Sequence, residues 1–192
     1  MKPGVRIISG RWKRRRLIVP AESGLRPTPS RVRETLFDWL GVRIRGARCL
    51  DLFAGSGALG FEAASRGAAE VVLVDRRKTV VDNLLLGAEG LAAQAVTVVH
   101  SDALRYIKRL SRHFDVVFLD PPFDGDLLET ACRRLIDSGQ LSETATIYLE
   151  MRRLASPPTL PDAWELTHHD VAGDVRYALA RRRAAITPGA VS

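Results

Sequence analysis

From Arg48 onward, short apolar runs alternate with stretches in which apolar residues recur every three or four positions. The runs predict strands at about 48–52, 70–75, 96–100, 114–119 and 145–150, and the periodic stretches predict helices at about 58–66, 78–86, 103–110 and 127–138. Five strands joined by helical crossovers argue for a parallel, doubly wound α/β sheet. Two further strands, Trp164 to His169 and Val175 to Ala180, are separated by the turn signal Ala-Gly-Asp with no helix between them. They should pair antiparallel at one edge, which makes the sheet seven-stranded and mostly parallel.

Upstream, Val5 to Pro20 holds two β-branched runs around a basic, Gly-containing stretch, a pattern that suits a small N-terminal β-hairpin. Thr28 then has the chemistry of an N-cap and Pro29 that of a first helical residue. Val32, Leu36, Phe37 and Leu40 fall on one face of the helix that follows, and Gly41 ends it. The chain therefore divides into a hairpin arm at 1–24, a main domain at 25–185 and a frayed end at 186–192.

Charge changes this picture at one end only. Residues 1–33 carry ten Lys/Arg and one Glu, a charge of +9, whereas the other 159 carry nineteen Lys/Arg and twenty-one Asp/Glu, a charge of −2. A basic arm on a near-neutral body points to a polyanionic partner. On an extended ribbon, Arg11, Lys13, Arg14, Arg15 and Arg16 can track a phosphate backbone, and Trp12 can either stack on a base or pack on the body. The apolar runs are too short for a membrane span, and the N-terminus has arginines where a secretory signal needs its apolar region, so a cytoplasmic protein is expected. Cys49 and Cys132 read as small buried hydrophobes, and no His or Cys spacing suggests a metal.

The chemistry concentrates at strand ends, which in a doubly wound sheet face the ligand crevice. Cys49 to Gly60 reads as a strand stopped by a glycine turn, with Gly55, Gly57 and Gly60 at G-x-G-x-x-G spacing. Asp51, four residues before the first glycine, would repel a dinucleotide pyrophosphate and welcome a cationic ligand. Asp75 closes the second strand, where a carboxylate can accept both hydroxyls of a ribose. Asp102 follows the third strand, suited either to accept from an adenine amine or to cap a helix. Asp120-Pro-Pro-Phe123 follows the fourth. Its two prolines remove donors and leave carbonyl and carboxylate acceptors beside an aromatic ring, a site for the NH₂ group of a flat base.

These motifs carry a resemblance. The acid-x-x-x-Gly-x-Gly turn is similar to motif I of the Rossmann-like methyltransferases, and Asp120-Pro-Pro-Phe123 to motif IV of amino-group nucleic-acid methyltransferases. Taken with Arg6-Ile-Ile-Ser-Gly10 and Leu25-Arg-Pro-Thr-Pro-Ser-Arg-Val-Arg-Glu-Thr-Leu-Phe-Asp-Trp-Leu40, nearly the whole chain resembles the bacterial 16S rRNA guanine-N2 methyltransferases of the RsmD type. The resemblance implies S-adenosylmethionine as cofactor and a guanine N2 of small-subunit ribosomal RNA as target. A monomer is expected, and the sequence leaves open whether the substrate is naked RNA or an assembling particle. It also implies that Asp51, Gly55, Gly57, Asp75 and Asp102 hold the cofactor, with Phe53, Arg76 and Ala103 beside them and Thr28 near the methionine end. Asp120, Pro121 and Phe123 would hold the base. The alternatives are a DNA adenine-N6 methyltransferase, which the same motif IV would suit, and a non-catalytic RNA-binding assembly factor. A nicotinamide oxidoreductase shares the glycine spacing but gives Asp51 and the Asp-Pro-Pro-Phe motif nothing to do.

Overall fold

The computed structural model describes residues 4–18, 28–122 and 126–183. Phe123 and the segment 186–192 therefore lie outside the described residues. Strands β1 (Gly4–Arg6) and β2 (Arg16–Ile18) form an antiparallel hairpin. After it come α1 (Ser30–Leu40), a 3-10 turn (Gly41–Ile44), β3 (Arg48–Asp51), α2 (Ala58–Ser65), β4 (Glu70–Asp75) and α3 (Lys78–Gly90). The chain continues through β5 (Val96–His100), α4 (Ala103–Ile107), β6 (Phe114–Leu119), α5 (Leu127–Asp137) and β7 (Leu141–Arg152), and closes with β8 (Trp164–Ala172) and β9 (Val175–Arg182).

The seven strands order as β5-β4-β3-β6-β7-β9-β8. The first five are parallel to one another, and β9 pairs antiparallel with both β7 and β8. This is the α/β architecture that the alternation predicts, edge hairpin included. Helices cover both faces, so the inner strands are buried on both sides and read as unbroken apolar runs, as in Val71 to Val74 and Val116 to Leu119. Phe37, Phe61, Leu73 and Tyr148 fill the face under α1, α2 and α3, and Ile107, Val117, Leu135 and Ile147 fill the other. Both cysteines are buried and unbridged.

The hairpin joins the first of these cores through Val5, Ile7, Trp12 and Leu17. Its loop is bonded to the C-terminal half of α2. The amides of Ile8 and Ser9 donate to Glu62 Oε2 and Oε1 at 2.8 and 3.0 Å, Arg11 N to the Ser65 carbonyl at 2.7 Å, and Trp12 N to Ser65 Oγ at 2.9 Å. Gly10 permits this approach, since a Cβ there would sit 1.9 Å from the Ser65 oxygen. Of the two roles open to Trp12, packing on the body is the one observed, at 7% exposure.

The start of α1 departs from expectation. Pro29, with ψ at 148°, is the residue before the helix, and Ser30 is the first within it. Thr28 caps nothing: its hydroxyl leaves the helix and donates to Asp120 Oδ2. A threonine side chain makes whichever bond the tertiary structure offers, and a half-buried carboxylate 92 positions away outcompetes an amide of the first turn.

Candidate active site

The direction of strand order reverses between β3 and β6, where an open α/β sheet forms its ligand crevice. A cleft of about 830 Å³ opens there, within the range of small-molecule sites. Asp51, Asp75, Asp102, Asp120 and Glu150 all line it. They come from the C-terminal ends of β3, β4, β5, β6 and β7, so five strands deliver five acids to one place. Phe53, Gly55, Arg76, Ala103, Thr28 and Pro121 line it as well, which unites nearly all the residues singled out from sequence. Gly57 is the exception. It closes the turn, its amide donating to the Ala54 carbonyl at 2.7 Å, where φ of 74° fits glycine and a Cβ would meet Phe61 at 2.5 Å.

The turn after β3 is held by carboxylates. Asp51 Oδ2 accepts from Gly60 N at 3.2 Å, and Asp75 Oδ2 accepts from Gly55 N at 3.1 Å. A side chain at Gly60 would meet Leu73 at 2.1 Å, so that glycine sets the closeness of α2 to the sheet. Asp75 Oδ1 accepts from the amide and Nε of Arg77 at 2.9 and 3.4 Å, a partner not foreseen from the sequence. Asp102 Oδ1 accepts from Arg105 N at 3.0 Å, so this residue caps α4 while it faces the cleft. Of its two sequence readings, the helix cap is the one observed.

Burial dominates the electrostatics. Desolvation pushes the Asp51 carboxyl up to about 7, the amides of Gly60 and Phe53 oppose the shift, and the Asp75 charge adds to it. Asp120 is raised by desolvation and then by Glu150 and Asp51, and the Thr28 hydroxyl, 3.2 Å from Oδ2, pulls it back. Glu150, 4% exposed, is raised by burial and steadied by the Tyr148 hydroxyl, which donates to Oε2 at 2.6 Å. Two carboxyl groups with raised affinity for protons thus sit side by side where β6 and β7 end.

Sequence reasoning weighted some of this poorly. The turn between β8 and β9, Val171 to Val175, overhangs the cleft, as does Arg31; no local signal marks a distant hairpin tip as part of a site. Glu62 is fully buried, with Arg66 Nε at 2.7 Å and Arg33 Nη1 at 3.8 Å. A lone acid in Ala-Leu-Gly-Phe-Glu-Ala-Ala, a helix with every residue buried, is the signal that could have found it. The basic residues Arg11, Lys13, Arg14, Arg15 and Arg16 are all exposed on the hairpin, and Arg15 Nη2 donates to the Gly90 carbonyl at 2.9 Å. At the end of β9, Arg181 Nε donates to Thr146 Oγ1 at 3.2 Å, Arg182 lies over Trp164, and Arg183 faces Glu165 at 3.7 Å. Among the described residues no group of acids, histidines and cysteines is arranged to hold a metal ion.

A family model described as conserved hypothetical protein 95 matches residues 5–181. Ribosomal RNA small subunit methyltransferase D of Escherichia coli K12 is 45% identical over 94% of this chain and 91% of its own length. The protein of the same name from Haemophilus influenzae is 42% identical over 93% and 94%. A solved Escherichia coli structure described as the methyltransferase yhhF superposes with a TM-score of 0.88 at 44% identity, covering 95% of this chain and 99% of that one.

Proposed function

This chain belongs to the RsmD family of small-subunit ribosomal RNA methyltransferases, and from that premise we propose that it methylates the exocyclic N2 amine of a guanine in 16S ribosomal RNA with S-adenosylmethionine as donor. The observation that carries the reading is the convergence of Asp51, Asp75, Asp102 and Asp120 on one cleft, with Pro121 next to the last of them. The donor set fits the cofactor. An ammonium, a sulfonium and ribose hydroxyls call for acceptors and no phosphate-binding cations, and the Gly55 to Gly60 turn brings backbone close to them. Asp51 faces the cationic methionine end, Asp75 the ribose, and Asp102 the adenine amine, with Phe53, Arg76 and Ala103 around the ring. When bound, S-adenosylmethionine supplies an electrophilic methyl group on sulfur.

The remaining chemistry belongs to the chain's own residues. A guanine N2 is a poor nucleophile because its lone pair is delocalised into the ring. Asp120 and the Pro121 carbonyl each accept one of its N–H bonds, which lets the nitrogen pyramidalise and turns its lone pair outward. Positive charge then builds on nitrogen, and Asp120 stabilises it by about 3–4 kcal/mol, on the scale of one preorganised oxyanion-hole donor. The methylated amine must shed one proton, and Asp120, whose proton affinity burial has raised, is placed to take it. Thr28 orients that carboxylate. Phe123, on sequence grounds, stacks on the base.

The hairpin at 1–24 grips RNA through its exposed cations, and the domain at 25–185 does the chemistry. In the same reading a monomeric cytoplasmic enzyme meets its guanine in small-subunit rRNA, either naked or in an assembling particle. No helix among the described residues is long and apolar enough to cross a membrane. Asp120→Ala tests the site. Methyl incorporation into unmodified small-subunit rRNA should fall by a hundredfold or more, roughly the cost of losing one preorganised donor, while calorimetric affinity for S-adenosylhomocysteine stays within about twofold. Near-normal turnover on saturating RNA would make the motif structural.

A further inference from the structure

We propose that Glu150 selects guanine, accepting its N1–H beside the N2 amine held at Asp120, so that the site takes a 2-amino-6-oxopurine and rejects purines with no proton on N1. This rests on the reading of the site as a guanine-N2 methyltransferase. The geometry starts from the sheet. Leu119 of β6 and Leu149 of β7 are direct partners in parallel register, so the residues that follow them, Asp120 and Glu150, leave adjacent strands side by side at the same height. Both line the cleft. Glu150 is almost wholly buried, and the Tyr148 hydroxyl, two residues back on the same strand face, donates to its Oε2 at 2.6 Å and fixes the carboxylate plane.

Nothing in the transfer of the methyl group uses this second acid, yet it is expensive. Removal from water raises the cost of ionising both groups, and the Glu150 charge raises it further for Asp120. A ligand that brings two adjacent donors offsets that cost. The Watson–Crick edge of guanine does so, with N1–H next to the N2 amine, whereas adenine sets its amine beside a bare N1 lone pair. A carboxylate at Glu150 would bond the first and repel the second. Selection of this kind is strong, because the analogue that lacks the proton leaves a buried acceptor without a partner.

The test separates N1–H from the N2 amine. The modified guanine is first located as N2-methylguanosine formed by the parent enzyme in unmodified small-subunit rRNA. An RNA of that sequence is then made with guanosine, 2,6-diaminopurine riboside or 2-aminopurine riboside at the position; the last two keep the amine and present N1 as an acceptor. The parent kcat/KM should fall roughly tenfold to hundredfold on both analogues. Glu150→Gln, whose amide oxygen keeps the Tyr148 hydroxyl and so turns its NH₂ toward N1, should lose activity on guanosine and regain it on the analogues, so that the preference shrinks by about tenfold or more with S-adenosylhomocysteine affinity unchanged. A parent that methylates all three RNAs alike, or a glutamine variant that keeps the parent preference, overturns the assignment. Should the glutamine variant fail to fold, the parent's discrimination among the three RNAs decides. Absence of N2-methylguanosine with the parent enzyme defeats the underlying reading instead, and the Glu150 assignment falls with it.

Discussion

The Thr28 hydroxyl donates to Asp120 Oδ2 across 3.2 Å, tying the residue that precedes Pro29 and α1 to the residue that ends β6. Thr28 is itself buried, and the bond fixes one lone-pair direction of a carboxylate that stands beside the stiff Pro121-Pro122 backbone. It also favours the ionised form, against desolvation and the neighbouring acids.

Thr28→Val keeps the shape and removes the donor. The Asp120 carboxyl should then hold its proton to higher pH, so the acid limb of the kcat profile moves upward. A hydrogen bond to a charged group is worth about 1.5–3 kcal/mol, which translates to roughly tenfold or more in turnover at neutral pH. Thr28→Ser should restore both. A valine variant with lower kcat and an unmoved profile would leave Thr28 as a positioning residue alone.

The Asp51 carboxyl titrates near 7 in the folded, unliganded protein and near 3.8 when exposed. Between those values the folded state holds the extra proton, so ionising Asp51 lowers stability as pH rises from about 4 to about 7. A cationic ligand has the opposite preference: it binds the ionised form and expels the proton. Affinity for S-adenosylhomocysteine, whose ammonium faces this acid in our reading, should be about tenfold weaker at pH 6 than at pH 8. In Asp51→Asn it should be flat across that range. Equal pH dependence in the two proteins, measured by calorimetry, would remove Asp51 from the cation site.

How much of this was legible in the sequence follows from how local each signal is. Asp51, Asp75, Asp102 and Asp120 could be read because each closes an apolar run, and in a doubly wound sheet all parallel strands end on the same side. The roles of Thr28 and Glu62 could not, because both are set by partners 92 and 54 positions away. Capping propensity described Thr28 as an isolated helix start and missed the carboxylate that claims it. Trp12 was ambiguous for the same reason, since an indole among arginines suits a wet or a dry site equally until the fold places Ser65 beneath it.

Glu62 should anchor the hairpin. Glu62→Ala removes the acceptor of the Ile8 and Ser9 amides and leaves Arg33 buried beside an empty place. Breaking one side of a buried ion pair costs about 3–5 kcal/mol, which denaturant unfolding can measure. Hydrogen exchange should show the loss where the contact lies, at the amides of Ile8 and Ser9. Unchanged protection there would mean that the apolar contacts of Ile7 and Leu17 hold the hairpin without help.

With the hairpin seated on α2 and Arg15 bonded to the Gly90 carbonyl, the side chains best placed to meet phosphates are the exposed Lys13, Arg14 and Arg16. Each phosphate contact contributes roughly 0.7–0.9 to the slope of log affinity against log salt. Changing the three together to Gln should flatten that slope by about two units and weaken RNA binding. Cofactor affinity should not move, because the acids that face the cleft lie beyond Cys49 and these cations do not line it. Glutamine is the appropriate replacement, since Arg14 occupies left-handed backbone at φ 71° and a β-branched residue there would mix strain with charge. Titrations at several salt concentrations that return the parent slope would move RNA recognition off the hairpin. Arg31, at the mouth of the cleft, would then be the next side chain to change.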